Sequence, residues 1–128
     1  MVDDIPAEGD VETYTRTFTR EDVRRFADLS GDEGDHHVAQ GCDGPLVVHG
    51  LLTATLPTKF GGDIDYVARR MTFEFTRPVH TGRAITCEVT IDDVEDGEDR
   101  VEIAASFVCT DEDGQVVLRG DTDGVVFR

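Results

Sequence analysis

The sequence predicts an α+β fold in which an antiparallel β-sheet wraps around one buried central α-helix. Three observations lead there. The longest apolar run, residues 45–60 (P-L-V-V-H-G-L-L-T-A-T-L-P-T-K-F), holds no Asp or Glu in an otherwise very acidic chain. A segment apolar on most of its faces belongs in a core. Beyond it the chain alternates with the two-residue period of strands. The connections between those later strands are short, and short turns make antiparallel neighbours. A chain of 128 residues is long enough for one real core, so a single domain over 1–128 is expected.

The elements follow in order. Residues 1–10 are acidic and polar, are expected as a flexible lead-in, and do not resemble a secretion signal. Residues 11–18, rich in Thr, Tyr, Phe and Val, read as a strand. Thr19 is placed to cap a helix, with Asp22 completing a box-like N-terminus and Glu21 near the positive end of the dipole. Val23, Phe26, Ala27 and Ser30 recur at helical spacing, and the helix stops at Gly31. Residues 31–44 (G-D-E-G-D-H-H-V-A-Q-G-C-D-G) set four glycines among polar residues and predict a loop. His49 to about Leu56 is the buried helix, entered through an extended 45–48 and ended or bent at Pro57, which has no backbone donor.

Residues 61–65 predict a turn. Residues 66–76 predict a half-buried strand with Met71, Phe73 and Phe75 on its apolar face. Residues 77–83 (R-P-V-H-T-G-R) form a connection. Residues 84–91 alternate through Ile85, Cys87, Val89 and Ile91, and 101–109 through Val101, Ile103, Ala105, Phe107 and Cys109. Between them, 92–99 reads as an acidic turn around Gly97. Residues 111–114 (D-E-D-G) predict a tight hairpin turn, and 115–127 a last strand, bulged near Gly120 and Gly124. The edge strands of such a sheet are open, and pairing in a homodimer would cover one.

Twenty-eight acidic residues against 12 basic give a net charge of -16, and Lys59 is the single lysine. That surface repels nucleic acid and anionic membranes, which both need a positive patch, so neither is expected as a partner. The apolar run is short and interrupted against the ~20 residues that span a bilayer. A cytoplasmic protein is expected. Heavy acidity with almost no lysine resembles proteins adapted to a high-salt cytoplasm, where repulsion is screened over ~3 Å at 1 M salt. The three cysteines, Cys42, Cys87 and Cys109, are odd in number and lack metal-ligand spacing, which argues against a disulfide framework or a zinc site. Cys87 and Cys109 fall at inward strand positions, and Cys42 falls in the loop.

Of the four histidines, His36, His37, His49 and His80, two lie side by side in the glycine-rich loop beside Asp32 and Asp35. An Asp and a His that converge can share one water, the minimum kit for general acid–base chemistry near neutral pH. On residue types alone, two other readings stay open. One is a polar loop with capping carboxylates, and the other is a metal site of Asp32, Asp35, His36 and His37. Successive side chains in an extended loop point apart, which counts against His36 and His37 sharing an ion.

A family resemblance enters on four motifs. Residues 30–38 (S-G-D-E-G-D-H-H-V) resemble the signature S-G-D-x-N-P-L-H of the MaoC-like, (R)-specific enoyl-CoA hydratases. Residues 44–52 (G-P-L-V-V-H-G-L-L) resemble that family's G-P-I-V-H-G-M-L, which opens its central hot-dog helix. Residues 73–79 (F-E-F-T-R-P-V) with Gly82 are similar to its F-x-x-P-V-x-x-G-D, and residues 19–29 match its lead-in helix. The resemblance covers roughly residues 15–127.

What it implies is a hot-dog fold and reversible addition of water to a trans-2-enoyl-CoA, giving a 3-hydroxyacyl-CoA. Asp32 and His37 match the catalytic pair; His36 falls where the family carries an aliphatic residue. Gly50 matches the glycine whose backbone N–H faces the thioester oxygen. Thr58 falls where relatives carry a Ser that hydrogen-bonds the aspartate. His49 is typical of the motif, with a structural and a direct role both open. No metal and no organic cofactor are implied; coenzyme A is part of the substrate. From 44 to 83, five basic residues against three acids leave a net charge of +2, so Lys59, Arg69, Arg70, Arg77 and Arg83 are candidates for the coenzyme A phosphates. Two departures stand out: Gly34-Asp35 in place of Asn-Pro, and a shortened segment between His37 and His49. The competing readings are a non-catalytic hot-dog module that binds acyl-CoA or only dimerises, and a thioesterase. Hot-dog thioesterases commonly rely on an acid on or near the central helix, and residues 49–60 carry none.

Overall fold

Thr19 starts the first helix as its spacing predicts. Its hydroxyl accepts from the Asp22 N–H at 3.1 Å, and the Asp22 carboxylate accepts from the Thr19 N–H at 3.0 Å. Phe18 and Val23, which flank this capping box, are fully buried in the same core. The backbone hydrogen bond from Thr19 holds the Asp22 carboxyl below its ordinary value of 3.8, with help from Arg16. That contribution is fully present above 3.8 and is lost as pH falls through the lower folded-state value. Thr19→Ala is expected to lower stability by about 1 kcal/mol, read as a shift in urea midpoint at constant slope.

This computed structural model describes residues 5–38 and 44–128. Their elements run β1 (Val11–Thr17), α1 (Arg20–Ser30), α2 (Asp35–Val38), α3 (Gly50–Thr53), α4 (Thr55–Asp63), β2 (Val67–Phe75), β3 (Ala84–Asp96), β4 (Arg100–Thr110) and β5 (Val116–Phe127). The strands make one antiparallel sheet in the order β1-β3-β4-β5-β2. The α3–α4 segment packs on the sheet, with Leu52, Ala54 and Leu56 buried in one core with Ile85, Val89, Phe107 and Leu118. Cys87 lies opposite Cys109 across β3 and β4, both buried and free. The hydrogen bond between their thiols holds Cys87 below the ordinary thiol value, and that bond together with burial pushes Cys109 above it. Cys42 lies outside the described residues.

The structure revises several expectations. The lead-in is docked where it is described: the Gly9 N–H donates to the Ile91 carbonyl, and the Ile91 N–H to the Asp10 carbonyl. Pro57 does not end the central helix, which continues to Asp63 and is interrupted at Ala54 instead. Pro57 stands in the first turn of α4, where a missing N–H costs little, and the carbonyl it leaves without a donor four residues back is that of Thr53. Gly61 and Gly62 are therefore helical rather than part of a turn. The supposed loop after Gly31 contains one helical turn, α2. Strand β3 runs on through the acidic stretch to Asp96, with an irregularity between Ile91 and Asp93.

The ladder is irregular beside Gly124, where Ala68 pairs with Gly124 and Arg70 with Asp123, but the extra residue there is Arg69 on β2; the extra residue of β5 itself is not at its glycines. Cys109 pairs with Leu118 and Thr110 with Val116, so Val117 is the extra residue and both Val117 and Leu118 face inward. Gly120 serves close approach: a Cβ there would lie 1.8 Å from the Thr72 carbonyl oxygen on β2. Phe73 and Phe107, its partners on either side, meet with ring centroids 5.7 Å apart.

Candidate active site

Helix α1 delivers the first acid. Gly31 caps it in the left-handed conformation (φ 79°), a geometry that favours glycine, and its N–H donates to the Ala27 carbonyl at 2.9 Å. The chain then turns out at Asp32. The Asp32 N–H donates to Ser30 Oγ at 3.1 Å, and Asp32 Oδ1 accepts from the Gly34 N–H at 3.2 Å. One carboxylate oxygen is thus engaged in holding the turn. The other, Oδ2, lies 3.6 Å from His37 Nε2. The Asp32 side chain is 56% exposed and that of His37 6%.

The tautomer of His37 follows from its second nitrogen. Nδ1 lies 2.6 Å from the Val47 carbonyl, which only accepts, so Nδ1 carries the hydrogen and Nε2 faces Asp32. Val47 is fixed from both sides. Its N–H donates to the His36 carbonyl, it bridges to His80, and the adjacent Val48 N–H donates to the Val79 carbonyl at 2.7 Å. The extended 45–48 segment therefore presents one carbonyl to one imidazole. Backbone roles of this kind leave no side-chain signal, and the sequence reading missed Val47.

His49 stacks on His37, ring centroids 3.7 Å apart and planes within 14°. Its Nε2 lies 2.9 Å from the Asp32 main-chain carbonyl, while Nδ1 is buried with no hydrogen-bond partner. Phe26 on α1 packs on its ring at 4.8 Å. Donor atoms of Asp32, His37 and His49 lie within 4.8 Å of one another, which suggests a metal trio. The geometry does not fit one. A metal lies in the plane of each imidazole that binds it, and two nearly parallel stacked planes do not meet at a common point. Asp35, exposed at the start of α2, makes no ion pair with His37; the His36 ring packs on His37 with centroids 3.7 Å apart and planes tilted by 47°.

Gly50 begins α3, so its N–H has no acceptor within the helix. At four residues α3 lacks a strong dipole, and its first bond, from the Thr53 N–H to the His49 carbonyl, leaves the N–H groups of Gly50, Leu51 and Leu52 without an acceptor in the helix. Phe75 was expected in the sheet core but is 52% exposed, and its ring packs on Gly50, where a Cβ would stand 2.7 Å from it. Asp32, His37, His49, Gly50, Phe75 and Arg77 line one cleft of about 700 Å³.

Other nominated residues lie elsewhere. The Thr58 hydroxyl donates to the Thr55 carbonyl of its own helix at 2.7 Å and makes no bond to Asp32. It lines a separate, largely apolar cavity of about 200 Å³ between α4 and the sheet. Lys59 pairs with Asp63 at 2.7 Å, Arg69 with Glu102 at 2.9 Å, and Arg83 with Asp113 at 3.0 Å. Among the described residues Arg70 and Arg77 make no ion pair, and of the five cations only Arg77 lines the cleft with Asp32. The lengthened central helix does carry an acid, Asp63, but at its far end and paired with Lys59. No helix among the described residues is long and apolar enough to cross a membrane.

No protein-family model matches the chain, and no curated protein matches its sequence. Solved structures do match. The (R)-hydratase from A. caviae involved in PHA biosynthesis superposes with a TM-score of 0.79 at 20% identity, over 93% of this chain and 96% of that one. The MaoC-like dehydratase from Rhodospirillum rubrum gives 0.76 at 20% identity, over 96% and 94%. Protein af1124 from Archaeoglobus fulgidus gives 0.81 at 26% identity, over 98% and 81%. The fold is the hot-dog fold that the antiparallel sheet and its enclosed helix describe.

Proposed function

We propose that this chain, built on the hot-dog fold of the MaoC-like dehydratases and (R)-hydratases, is a hydro-lyase. It adds water to trans-2-enoyl-CoA to give (R)-3-hydroxyacyl-CoA, or runs the reverse dehydration, and acts as a homodimer. The observation that carries this reading is the 3.6 Å separation of Asp32 Oδ2 and His37 Nε2 in a cleft that Gly50 also lines. That distance exceeds a direct hydrogen bond and suits two groups that share one water.

In this mechanism the water oxygen bonds to Cβ while one member of the pair takes its proton. The other, which begins the cycle carrying one proton on Asp32 Oδ2 or His37 Nε2, delivers it to Cα as the C=C π bond is consumed, and the proton taken from water restores the pair for the next turnover. The Gly50 N–H donates to the thioester oxygen as enolate charge develops there. Asp32 and His37 share the two proton roles, and either assignment gives the same product.

Run in D₂O, the reaction leaves one deuterium at Cα and a hydroxyl at Cβ with the thioester intact, read by mass spectrometry. A thioesterase would instead release free coenzyme A thiol. The reading that competes is acyl-CoA binding without turnover, favoured by Phe75, whose ring packs directly against Gly50. Tight binding with no deuterium incorporated would establish it.

Arg77, which lines the cleft with Asp32, supports a role in holding a coenzyme A phosphate. Arg77→Gln is expected to raise KM for crotonyl-CoA about tenfold with kcat little changed, the loss of one charge-assisted contact. KM for the N-acetylcysteamine thioester, which has no phosphate, stays as in wild type.

A further inference from the structure

We propose that His49 is a positioning residue that locks Asp32, His37 and the start of α3 into one register without touching substrate. Its kinetic consequence rests on the hydratase reading; its geometry does not.

The Asp32 carbonyl can only accept, so the 2.9 Å contact places the hydrogen on His49 Nε2. Nδ1 is then an acceptor, and it is buried without a partner in a residue that is 2% exposed. One face of the ring stacks on His37, Phe26 packs on the ring at 55°, and the next residue in the chain is Gly50. Three reacting groups, two from the stretch 32–37 and one from the start of α3, therefore meet at one side chain.

Packing alone does not call for a histidine here. A phenylalanine would fill similar volume, keep the ring contacts and remove the unpartnered nitrogen. What it would lose is the bond to the Asp32 carbonyl. That bond fixes the Asp32 backbone, and through it the distance from Oδ2 to His37 Nε2. Misplacing a reacting group by ~1 Å can cost on the order of 10²-fold in rate.

The test compares His49→Phe, which keeps the ring, with His49→Gln, whose amide nitrogen reaches the Nε2 position. His49→Asn, too short to reach the carbonyl, replaces the phenylalanine variant if that one does not fold. Kinetics on crotonyl-CoA are read with amide hydrogen exchange over residues 31–38. The expected result is a loss of about tenfold or more in kcat for His49→Phe, with KM within about twofold of wild type. Exchange is faster in that variant, and His49→Gln restores both. A raised KM with unchanged kcat would overturn the proposal by showing that His49 touches substrate. Wild-type kcat in His49→Phe would overturn it by showing that the bond is idle. Absence of turnover in the wild type removes the hydratase reading alone. Exchange then decides: faster in His49→Phe but not in His49→Gln supports the lock, and equal exchange in both overturns it.

Discussion

Asp32→Asn is expected to lower hydration of crotonyl-CoA by about 10²-fold or more while leaving the melting temperature unchanged. The asparagine keeps the Oδ1 that accepts from the Gly34 N–H, so the turn after α1 survives. It replaces the oxygen facing His37 Nε2 with an amide group that accepts no proton. The side chain is more than half exposed, so its charge contributes little to folding. His37→Ala is a less clean probe. It removes a buried ring from between His36 and His49 and leaves the Val47 carbonyl without its donor, at a cost of about 1–3 kcal/mol in stability. Its activity loss has to be read against the folded fraction.

The largest effect on stability is expected at a residue with no chemical role. Gly120→Ala puts a Cβ 1.8 Å from the Thr72 carbonyl oxygen and 2.9 Å from the Phe107 ring. The ring can move, but the carbonyl belongs to the paired strand and cannot without breaking register. Strand β2 must peel from β5, and with it go the Phe73–Phe107 contact and the wall of the cleft that carries Phe75. A loss of roughly 3 kcal/mol is expected, measured as the fall in urea midpoint at constant slope. An unchanged midpoint would mean that β2 does not approach β5 as closely as the Thr72 contact requires.

Much of the fold was legible because it is written locally. The inward residues of β3 and β4 follow their alternation, and Thr19, Asp22 and Gly31 bound α1 through contacts only a few residues apart. The misreadings came where distant segments decide. Pro57 read as a helix end because proline is a breaker in general; whether it breaks depends on where the helix restarts, here at Thr55. Gly120 and Gly124 read as bulge residues, whereas their need is steric and comes from β2, some fifty residues away. Phe75 belongs to the alternating pattern of β2 but lies on an edge strand and reaches over to Gly50.

The site divides in the same way. Asp32 and His37 stand five residues apart on one short loop, so their proximity could be anticipated from the motif. Thr58 could not be placed in this way: its hydroxyl is taken by its own helix. Of the cations, only the Lys59–Asp63 pair, four residues apart on a helix, was readable from spacing. The partners of Arg69 and Arg83 depend on strand register. His49 acts on a main-chain carbonyl, a partner that every residue type possesses and that no sequence pattern marks.

The central claim is most directly tested by incubating the folded protein with crotonyl-CoA in molar KCl. Loss of the enoyl thioester absorbance is followed for wild type beside Asp32→Asn, and the configuration of the product is determined. The account predicts turnover to (R)-3-hydroxybutyryl-CoA in wild type and a loss of about 10²-fold or more in the variant. No turnover of short, medium or long enoyl-CoAs by a protein shown to be folded in that salt would contradict it, as would equal rates in wild type and variant.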